Sequence, residues 1–517
     1  MMQMTTIFPD HARATLPGNI HAVRIQTSSE EWLASAQALH GDGACLLTLW
    51  GADDRDRDGS FRIYAAWLHA KGITILEHAL DPAIPRYLSL AALFPAAVRM
   101  QRAVYDLLGI SSTDPDTRGW LRHNGWPEDA FPLRRDFDDG RKDPPTSRPY
   151  AYIEVEGEGV HEIAVGPVHA GTIEPGGFRF SVVGEKVLRL EERLGYTHKG
   201  VARLFQGMPQ AGGHRLAARL GGDSAVAFSW AWCAALESLT GSVCPPRAVA
   251  LRALALEHER MANHLGDLGA LGNDAGFAFG LTQFSRCKED LLRANTAAFG
   301  ARYLMDFIVP GGVAADLPPL APDRLLAQYA KLEEIVAELR SIYDEHAGIQ
   351  DRFRETGRLH RQTAEKLGAM GLAARASGLA CDLRVDRPWA PYDRLHTRAA
   401  VQTGGDVAAR VQVRFDEVFE SLRLCRALLL EIPDGPVQTA VPVADPYRMG
   451  IGVIEGWRGP VAIVLESGPE GTIRRCHPHD PSVQNWPLLE YAIIGNLVPD
   501  FPLINKSFNL SYSGQDG

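Results

Sequence analysis

The chain has 517 residues, a formal net charge of −10 at pH 7 and a pI of about 6.0. Hydrophobic residues make up 45% and charged residues 22%, which is typical of a globular protein. This length exceeds one hydrophobic core and predicts roughly two to four domains, and the acidic balance without a basic stripe or tail excludes nucleic acid as a main partner.

The sequence predicts neither a membrane span nor a secretion signal. It contains no run of about 18 apolar residues, and residues 1–12 lack the apolar core of a signal peptide. Any association with a membrane is therefore expected to go through partner subunits.

Seven cysteines occur singly, and no two of them form a Cys-x-x-Cys pair. They are Cys45, Cys233, Cys244, Cys287, Cys381, Cys425 and Cys476. This spacing argues against a zinc ion or an iron–sulfur cluster held by this chain alone. Isolated cysteines in a reducing compartment are typical of small buried hydrophobic residues.

The first predicted domain covers residues 1–138. Two β-rich runs, Ile63–Leu68 and Ile73–Leu76, are separated by a glycine-containing turn and predict a hairpin. Helical stretches follow around Leu88–Leu108. The polar, proline-rich segment 139–150 predicts a linker.

The second predicted domain covers residues 151–517 and is mostly helical. Strands are expected near Glu162–Val168, Phe178–Val183 and within Ile451–Ser467. The three clearest helices are predicted over Arg247–Leu268, Pro322–His346 and Asp406–Leu430.

Several blocks in the first domain resemble the 30-kDa subunit of respiratory complex I. They are Tyr105–Ile110, Asp114–Asp116, Trp126 and Pro132–Phe137, in that order. Six blocks in the second domain resemble the 49-kDa subunit and the related nickel–iron hydrogenase large subunits: Gly166–His169, Gly195–Gly200, Leu256–Leu265, Ala374–Gly378, Gly405–Arg410 and Asp500–Ile504.

Each block is weak by itself, but their ordered combination is specific. A 30-kDa part fused to a 49-kDa part is the arrangement of energy-converting hydrogenases of the formate hydrogenlyase type. The resemblance implies an α+β protein, with a small α/β domain followed by a mainly α-helical domain that starts with a small β-sheet.

The metal-binding positions of that hydrogenase family are changed in this chain. The family holds nickel and iron with two Cys-x-x-Cys pairs, and the matching positions here are Gly221, Ser224, Ser511 and Gly514. Soft thiolates set the affinity of such a centre, whereas glycine has no ligand and a serine hydroxyl is a hard, protonated donor. We therefore predict that the chain binds no metal.

In complex I the same cavity holds the headgroup of quinone. The resemblance implies a Tyr after the first upstream ligand position and a His on the first hairpin turn, but this chain has Gly222 and Ile173 there. Quinone is consequently one candidate acceptor rather than an established one.

The resemblance also suggests residues that link electron and proton movement. Glu174 matches a proton-passing glutamate of the hydrogenases, and Asp223 and Asp274 are acidic groups near the expected cavity. Charged groups near a redox event shift their proton affinity, so these three are our candidates for coupling. His169 is expected to line the cavity, and His198 to face the iron–sulfur partner.

Simpler interpretations apply to several of these residues. Glu174 lies in a Gly/Pro turn and could be solvent-exposed, and Asp274 could be a turn or cap residue. His258 is interpreted as a packed core histidine. Glu257, Glu259, Arg260 and His264 are interpreted as a network that braces helices. His477 and His479 are predicted to lie in a solvated loop.

The function implied is that of a peripheral-arm subunit which couples electron transfer to reduction of an acceptor and to ion translocation. The implied partners are a small subunit with a 4Fe–4S cluster, a ferredoxin-like subunit, and membrane subunits of the complex I and antiporter types. Two alternatives stay open: an active hydrogenase with unusual ligands, and a silent scaffold that docks electron-transfer subunits onto the membrane arm.

Overall fold

The computed structural model describes residues 13–123, 126–140, 149–168 and 174–517. Helix accounts for 43% and strand for 19% of it, with small sheets and a helical second part, which confirms the predicted α+β class. His169, Ile173 and most of the predicted linker lie outside the described residues.

The N-terminal part is built on a five-stranded sheet with the order β1-β2-β5-β4-β3. Its strands are β1 (Arg13–Leu16), β2 (Ala22–Thr27), β3 (Cys45–Asp54), β4 (Ser60–His69) and β5 (Gly72–Leu80), with a small parallel pair β6 (Arg86–Tyr87) and β7 (Ser111–Ser112). Its helices are α1 (Ser29–Gly41) and α2 (Ala97–Leu108). The strands β4 and β5 pair antiparallel, which confirms the predicted hairpin.

The predicted helical region Leu88–Leu108 is helical only in its second half. Residues 88–96 form extended backbone and turns, and α2 starts at Ala97, two residues after Pro95. A proline disfavours helical backbone at the residue before it, so a helix cannot easily run through this position. Gly109, at φ 70°, ends α2 in the left-handed conformation that glycine adopts without strain.

The remaining elements form the mainly helical part. Its strands are β8 (Val160–Val165), β9 (Gly177–Val183), β10 (Lys186–Arg193), β11 (Ile308–Val309), β12 (Gly312–Val313), β13 (Met449–Glu455), β14 (Pro460–Ser467) and β15 (Ile473–His479). Its helices are α3 (Val201–Leu204), α4 (Gly213–Ala217), α5 (Ala225–Thr240), α6 (Pro246–Asp274), α7 (Ala278–Phe299), α8 (Ala321–Glu345), α9 (Ala347–Phe353), α10 (Arg361–Leu367), α11 (Gly371–Ala376), α12 (Leu383–Asp386), α13 (Tyr392–Leu395), α14 (Val407–Leu430), α15 (Ser482–Ala492), α16 (Phe501–Phe508) and α17 (Tyr512–Asp516).

The long helix α6 lies at the centre of this part and packs against α7 and α14. It starts with Pro246, whose fixed φ suits the first helical turn. It extends six residues beyond the predicted end at Leu268, because the leucine stripe continues to Leu271. The helix α14 starts where predicted, and the side chain of Asp406 caps it by accepting a hydrogen bond from the Ala409 amide at 2.8 Å.

The prediction that His477 and His479 lie in a solvated loop is wrong. Both belong to β15, the edge strand of the sheet β13-β14-β15. The ring of His477 stacks on Trp50 at 5.1 Å and hydrogen-bonds the Thr48 hydroxyl at 2.8 Å. The sequence pattern is polar, and the strand is buried because it packs against β3 of the N-terminal sheet and against α3, while His479 hydrogen-bonds Gln484 of α15 at 2.8 Å.

Buried ion pairs connect the N-terminal part and the mainly helical part, in addition to the linker. Arg474 of β15 forms an ion pair with Asp54 of β3 at 2.9 Å. Arg99 of α2 bridges Glu192 and Glu490 at 3.0 and 2.7 Å. Among the described residues, no helix is long and apolar enough to cross a membrane.

Candidate functional site

Two segments far apart in the chain meet in one place. A Cβ atom at Gly221 would lie 3.6 Å from the Ser511 hydroxyl and 3.4 Å from the Asp223 carboxylate. Ser224 directly precedes α5, and Ser511 caps α17 by accepting a hydrogen bond from the Gly514 amide at 2.8 Å. The four positions that match metal ligands in the hydrogenases are therefore brought together around one small space.

Arg458, which no sequence pattern marked as functional, forms an ion pair with Asp223 beside this space. Arg458 follows β13 in the run Gly456–Gly459, and its guanidinium donates two hydrogen bonds to the Asp223 carboxylate at 2.6 and 2.9 Å. The guanidinium also lies 3.9 Å above the Trp457 ring. Burial raises the pKa of Asp223, but the charge and hydrogen bonds of Arg458 more than offset this and lower it.

A second carboxylate occupies the space beside Gly514. A Cβ atom there would lie 2.5 Å from Asp480 Oδ2 and 2.8 Å from the Ser511 hydroxyl. Asp480 is buried and accepts a hydrogen bond from the Ser482 amide at 2.8 Å, and burial raises its pKa. A cysteine at position 514 would clash with this carboxylate unless Asp480 moved.

The residues present do not fit a thiolate-held nickel–iron centre. Gly221 and Gly514 carry no ligand atom, Ser224 and Ser511 carry hydroxyls, and Asp480 fills the space of one former ligand. In the part of the chain that the structure describes, no group of three or more His, Cys, Asp or Glu side chains is arranged to hold a metal ion.

A cavity of about 260 Å³ opens beside Gly222 and Asp223. Polar side chains face it from α6, from α7 and from the turn before α5, and its lining includes Gly222, Asp223, Glu259, Asn263, Lys288 and Met305. Such a space, partly apolar and holding a few convergent polar groups, is typical of a small-molecule site.

Glu259 lies at this cavity, with its carboxyl group held by the start of α5. Its carboxyl group accepts hydrogen bonds from the Val226 and Ala227 amides, at 2.7 and 3.2 Å, in the first turn of α5. Burial nevertheless raises the pKa of Glu259 to about 8. The side chain therefore carries a proton at neutral pH and can give it to a group that gains negative charge nearby.

Lys288 brings a positive charge to the same cavity. Its side chain is half-buried, and its ammonium has no hydrogen-bond or ion-pair partner among the described residues. Burial lowers its pKa. Gly266 makes room for it, since a Cβ atom at that position would lie 2.8 Å from the Lys288 nitrogen.

Two other residues chosen from the sequence, Glu174 and Asp274, are described by the structure, and Asp274 is not among the residues that line the cavity. Glu174 is exposed, and its carboxylate accepts a hydrogen bond from the Ser513 amide at 3.2 Å, which places it beside α17. Asp274 is the last residue of α6, is exposed, and interacts electrostatically with Lys506. His169 lies outside the described residues.

His198 is held on the outer side of α17. Its Nδ1 atom hydrogen-bonds the Asp516 carbonyl at 2.8 Å, and its ring stacks on Trp126 at 5.7 Å. Asp516 in turn accepts hydrogen bonds from the Gly195 and Thr197 amides at 2.8 and 2.9 Å. The Gly195–Gly200 block therefore anchors α17 and, through it, the Ser511–Gly514 segment.

A buried ion network lies behind the cavity. Its centre is Glu417 of α14, whose carboxylate accepts hydrogen bonds from Arg375 at 2.9 Å and from His264 at 2.7 Å. Arg375 also donates to Glu455 at 3.0 Å. A second group holds Glu257 between Arg260, Arg384, Tyr392 and Ser421. His258, by contrast, is a core histidine with both ring nitrogens bonded.

Comparison with known proteins identifies the family. The profile of the 49-kDa subunit of respiratory-chain NADH dehydrogenase matches residues 274–448, and that of the 30-kDa subunit matches residues 25–143. Formate hydrogenlyase subunit 5 of Escherichia coli (strain K12) is 32% identical over 488 residues, which cover 92% of this chain and 85% of that protein. The chain belongs to the fused 30-kDa/49-kDa family of complex I and hydrogenase-related subunits.

Further relatives of this 30-kDa/49-kDa family fit the same picture. An NADH-quinone oxidoreductase subunit of Bacteroides thetaiotaomicron is 28% identical over 89% of this chain and 91% of its own length. A chain in the structure of the membrane-bound sulfane sulfur reductase, described as an archaeal respiratory membrane complex, superposes with a TM-score of 0.65. That match covers 70% of this chain and 99% of the other, and at 23% identity it shows the fold alone. The relatives are subunits of respiratory-type oxidoreductase complexes that associate with membranes.

Proposed function

We propose that the chain is the peripheral-arm subunit of a complex I-like oxidoreductase that works without a nickel–iron centre. Electrons would arrive through the 4Fe–4S cluster of a small partner subunit, fed by a ferredoxin-like subunit. Membrane subunits of the complex I and antiporter types would hold the assembly at the cytoplasmic side of the inner membrane. Reduction of a quinone or another small carrier would then be coupled to ion translocation.

The single observation that supports this proposal is the Asp223–Arg458 ion pair. It stands in the space framed by Gly221 and Ser511, at the edge of the 260 Å³ cavity. An ion pair with one half-buried partner responds to a new charge by changing its geometry or protonation. Glycine and serine stand at the four positions that match metal ligands, and a titratable ion pair lies beside them, which favours acceptor reduction without nickel.

The residues of the cavity can handle an acceptor that is being reduced. The Lys288 ammonium would attract the oxygen atoms of the acceptor as negative charge develops on them. Glu259 would supply the proton, since its raised pKa keeps it protonated at neutral pH. The Arg458 guanidinium would hold Asp223 ionised, so that this carboxylate does not compete for the same proton.

The test uses the intact complex purified from its native membrane. We expect no nickel at the stoichiometry of the chain, and we expect Asp223→Asn to lower acceptor reduction about tenfold, which is ~1.4 kcal/mol in activation free energy. The matched control is Asp306→Asn, because Asp306 forms a similar two-bond pair with Arg219 on the surface. One nickel per chain would overturn the proposal.

A second candidate function is a scaffold that docks electron-transfer subunits onto the membrane arm. The observation that favours it is the Asp480 carboxylate packed into the space beside Gly514. If Asp223→Asn and Glu259→Gln both kept full coupled activity, the cavity would have no part in the reaction. The scaffold interpretation would then replace the first proposal.

A further inference from the structure

His264 of α6 has one ring nitrogen that is paired and one that is not. The side chain is fully buried, and its Nε2 atom lies 2.7 Å from Glu417 Oε2. The Nδ1 atom is buried and has no hydrogen-bond partner in the part of the chain that the structure describes. Buried polar atoms are nearly always paired, so this exception needs an explanation.

The hydrogen bond to Glu417 determines which ring nitrogen of His264 carries the hydrogen. Arg375, Arg260 and His264 hold the pKa of Glu417 well below its usual range, despite its burial, so this side chain is an ionised acceptor. The Nε2 atom must then carry the hydrogen of the neutral ring, which leaves the lone pair on Nδ1. Burial lowers the pKa of His264, and the neutral form is the resting one. The ring is consequently an empty proton acceptor inside the protein.

Two positively charged and two negatively charged side chains lie beside the ring of His264. On α6 it faces Arg260 and Asp267, and on α14 it faces Arg414 and Glu417. The two arginines oppose a proton on the ring, and the two carboxylates favour it. Because charges of both signs lie beside the ring, a change of charge nearby shifts the proton affinity of His264.

The cavity at Asp223 is connected to His264 through Trp457. The ring of His264 contacts the Trp457 ring edge-on at 5.9 Å, and the Trp457 indole donates a hydrogen bond to the Asp223 carbonyl at 2.8 Å. Asp267 connects the same two places, since Asn509 donates to it at 2.7 Å and accepts a hydrogen bond from Arg458.

Water can approach the other side of the network. A cavity of about 810 Å³ separates the N-terminal sheet from the segment that contains α10, α11 and α12, and Glu455 and Asp382 are among its lining residues. Arg375 bonds Glu455 and Glu417 at the same time, so one guanidinium separates this cavity from the partner of His264. Burial raises the pKa of Glu455 to about 7, which lets it exchange protons near neutral pH.

We propose that His264 is a proton-binding site coupled to the charge in the cavity at Asp223. When negative charge enters that cavity, the neutral imidazole gains one proton, taken up from the bulk solvent, and becomes an imidazolium with one hydrogen on Nδ1 and the other still donated by Nε2 to Glu417. When the charge leaves, the proton is released. The source of the negative charge, an electron delivered by a partner cluster to a small acceptor, rests on the proposed function.

The experiment compares oxidised and dithionite-reduced intact complex by infrared difference spectroscopy, with the chain labelled by ¹⁵N-histidine. In the wild type we expect an imidazolium band that shifts with the label, together with uptake of about one proton per chain. His264→Gln keeps a donor for Glu417 but cannot titrate, so it should lose both signals. His258→Gln, at a fully bonded histidine of the same helix, should keep them.

A variant that changes the charge of the cavity permanently distinguishes failure of the coupling to His264 from failure of the proposed function. Arg458→Gln removes a positive charge from the cavity without any electron, and it should raise the pH at which the imidazolium band of oxidised complex appears. If this shift occurs while dithionite produces no reduced acceptor, the proposed function fails and the coupling stands. If the partner clusters are reduced and no imidazolium forms, or the band survives His264→Gln, the inference is overturned. The absence of a label-dependent imidazolium band in the reduced wild type overturns the inference even where a variant fails to fold.

Discussion

The positions that match metal ligands lie close to the buried ion network. The two regions differ in whether their functional groups are present: the thiolates are absent, whereas the charges of the network are all paired. At positions 221, 224, 511 and 514 every thiolate is absent. In the network around Glu417, every charged group has an oppositely charged partner within hydrogen-bond distance. Metal ligands can therefore be absent from these loop and cap positions while the fold is kept. Removing one partner of a buried ion pair, in contrast, costs a large part of the free energy of unfolding.

Glu417→Ala is expected to have the largest effect on the free energy of unfolding. It leaves the fully buried Arg375 and Arg260 without one of their acceptors, and we expect a loss of about 3–5 kcal/mol in the free energy of unfolding. Denaturant unfolding of the purified protein measures this loss. Asp306→Ala, which breaks an exposed pair, should cost no more than about 1 kcal/mol. Equal losses in the two variants would contradict the distinction between the regions.

Two glycines of the ligand segments should respond in opposite ways to an added methyl group. Gly514→Ala places a Cβ atom against Asp480 and Ser511, and we expect overpacking to cost about 1–3 kcal/mol. Gly221→Ala meets its nearest atom at 3.4 Å, so it should be neutral or should stabilise the protein by about 0.4–1 kcal/mol. Thermal unfolding of both variants checks this. A stable Gly514→Ala protein would show that Asp480 moves freely.

Arg458→Lys tests the chemistry of the cavity rather than its packing. Lysine keeps the charge but cannot donate two parallel hydrogen bonds to Asp223, as the guanidinium does at 2.6 and 2.9 Å. We expect acceptor reduction to fall about tenfold, which is ~1.4 kcal/mol. The partner clusters should still be reduced at the wild-type rate. An unchanged turnover would remove the paired geometry from the mechanism.

The smallest effect concerns His258, which lies on α6 outside both regions. Burial lowers its pKa to about 4 from the ordinary 6.5 of the unfolded chain. Between these values the unfolded chain binds a proton that the folded chain does not, so stability falls as pH drops below 6.5 and levels off near 4. From pH 7.5 to 6 we expect a loss of less than about 1 kcal/mol from this group. His258→Gln should flatten the profile, and a profile as steep as that of the wild type would contradict the assignment.

Several features were predictable because they depend on residues close together in the chain. The leucine stripe of α6, the Asp406 cap of α14 and the β4–β5 hairpin follow from local spacing and capping. The resemblance of ordered blocks also placed Gly221, Ser224, Ser511 and Gly514 around one space. Glu174 was placed beside that space for the same reason, although nothing in its own turn shows this.

Other features were not predictable because they depend on pairs of residues far apart. Nothing local marks Arg458 as the partner of Asp223, 235 positions earlier, or Asp480 as the group that fills the space beside Gly514. The strand β15 was mistaken for a loop because its polar residues are buried by elements far away in the chain, such as Thr48 and Trp50 of the N-terminal sheet.

The order of residues alone indicates the family, the α+β class, the main helices and the absence of thiolates at the four ligand positions. Helix periodicity, caps and ordered blocks are properties of neighbouring residues, and one chain is enough to show them. Only the tertiary structure decided which charges face one another, which ring nitrogen of His264 is unpaired and where the cavities open. Those depend on the distance between atoms of different elements, which the packing of helices and sheets sets and the order of residues does not display.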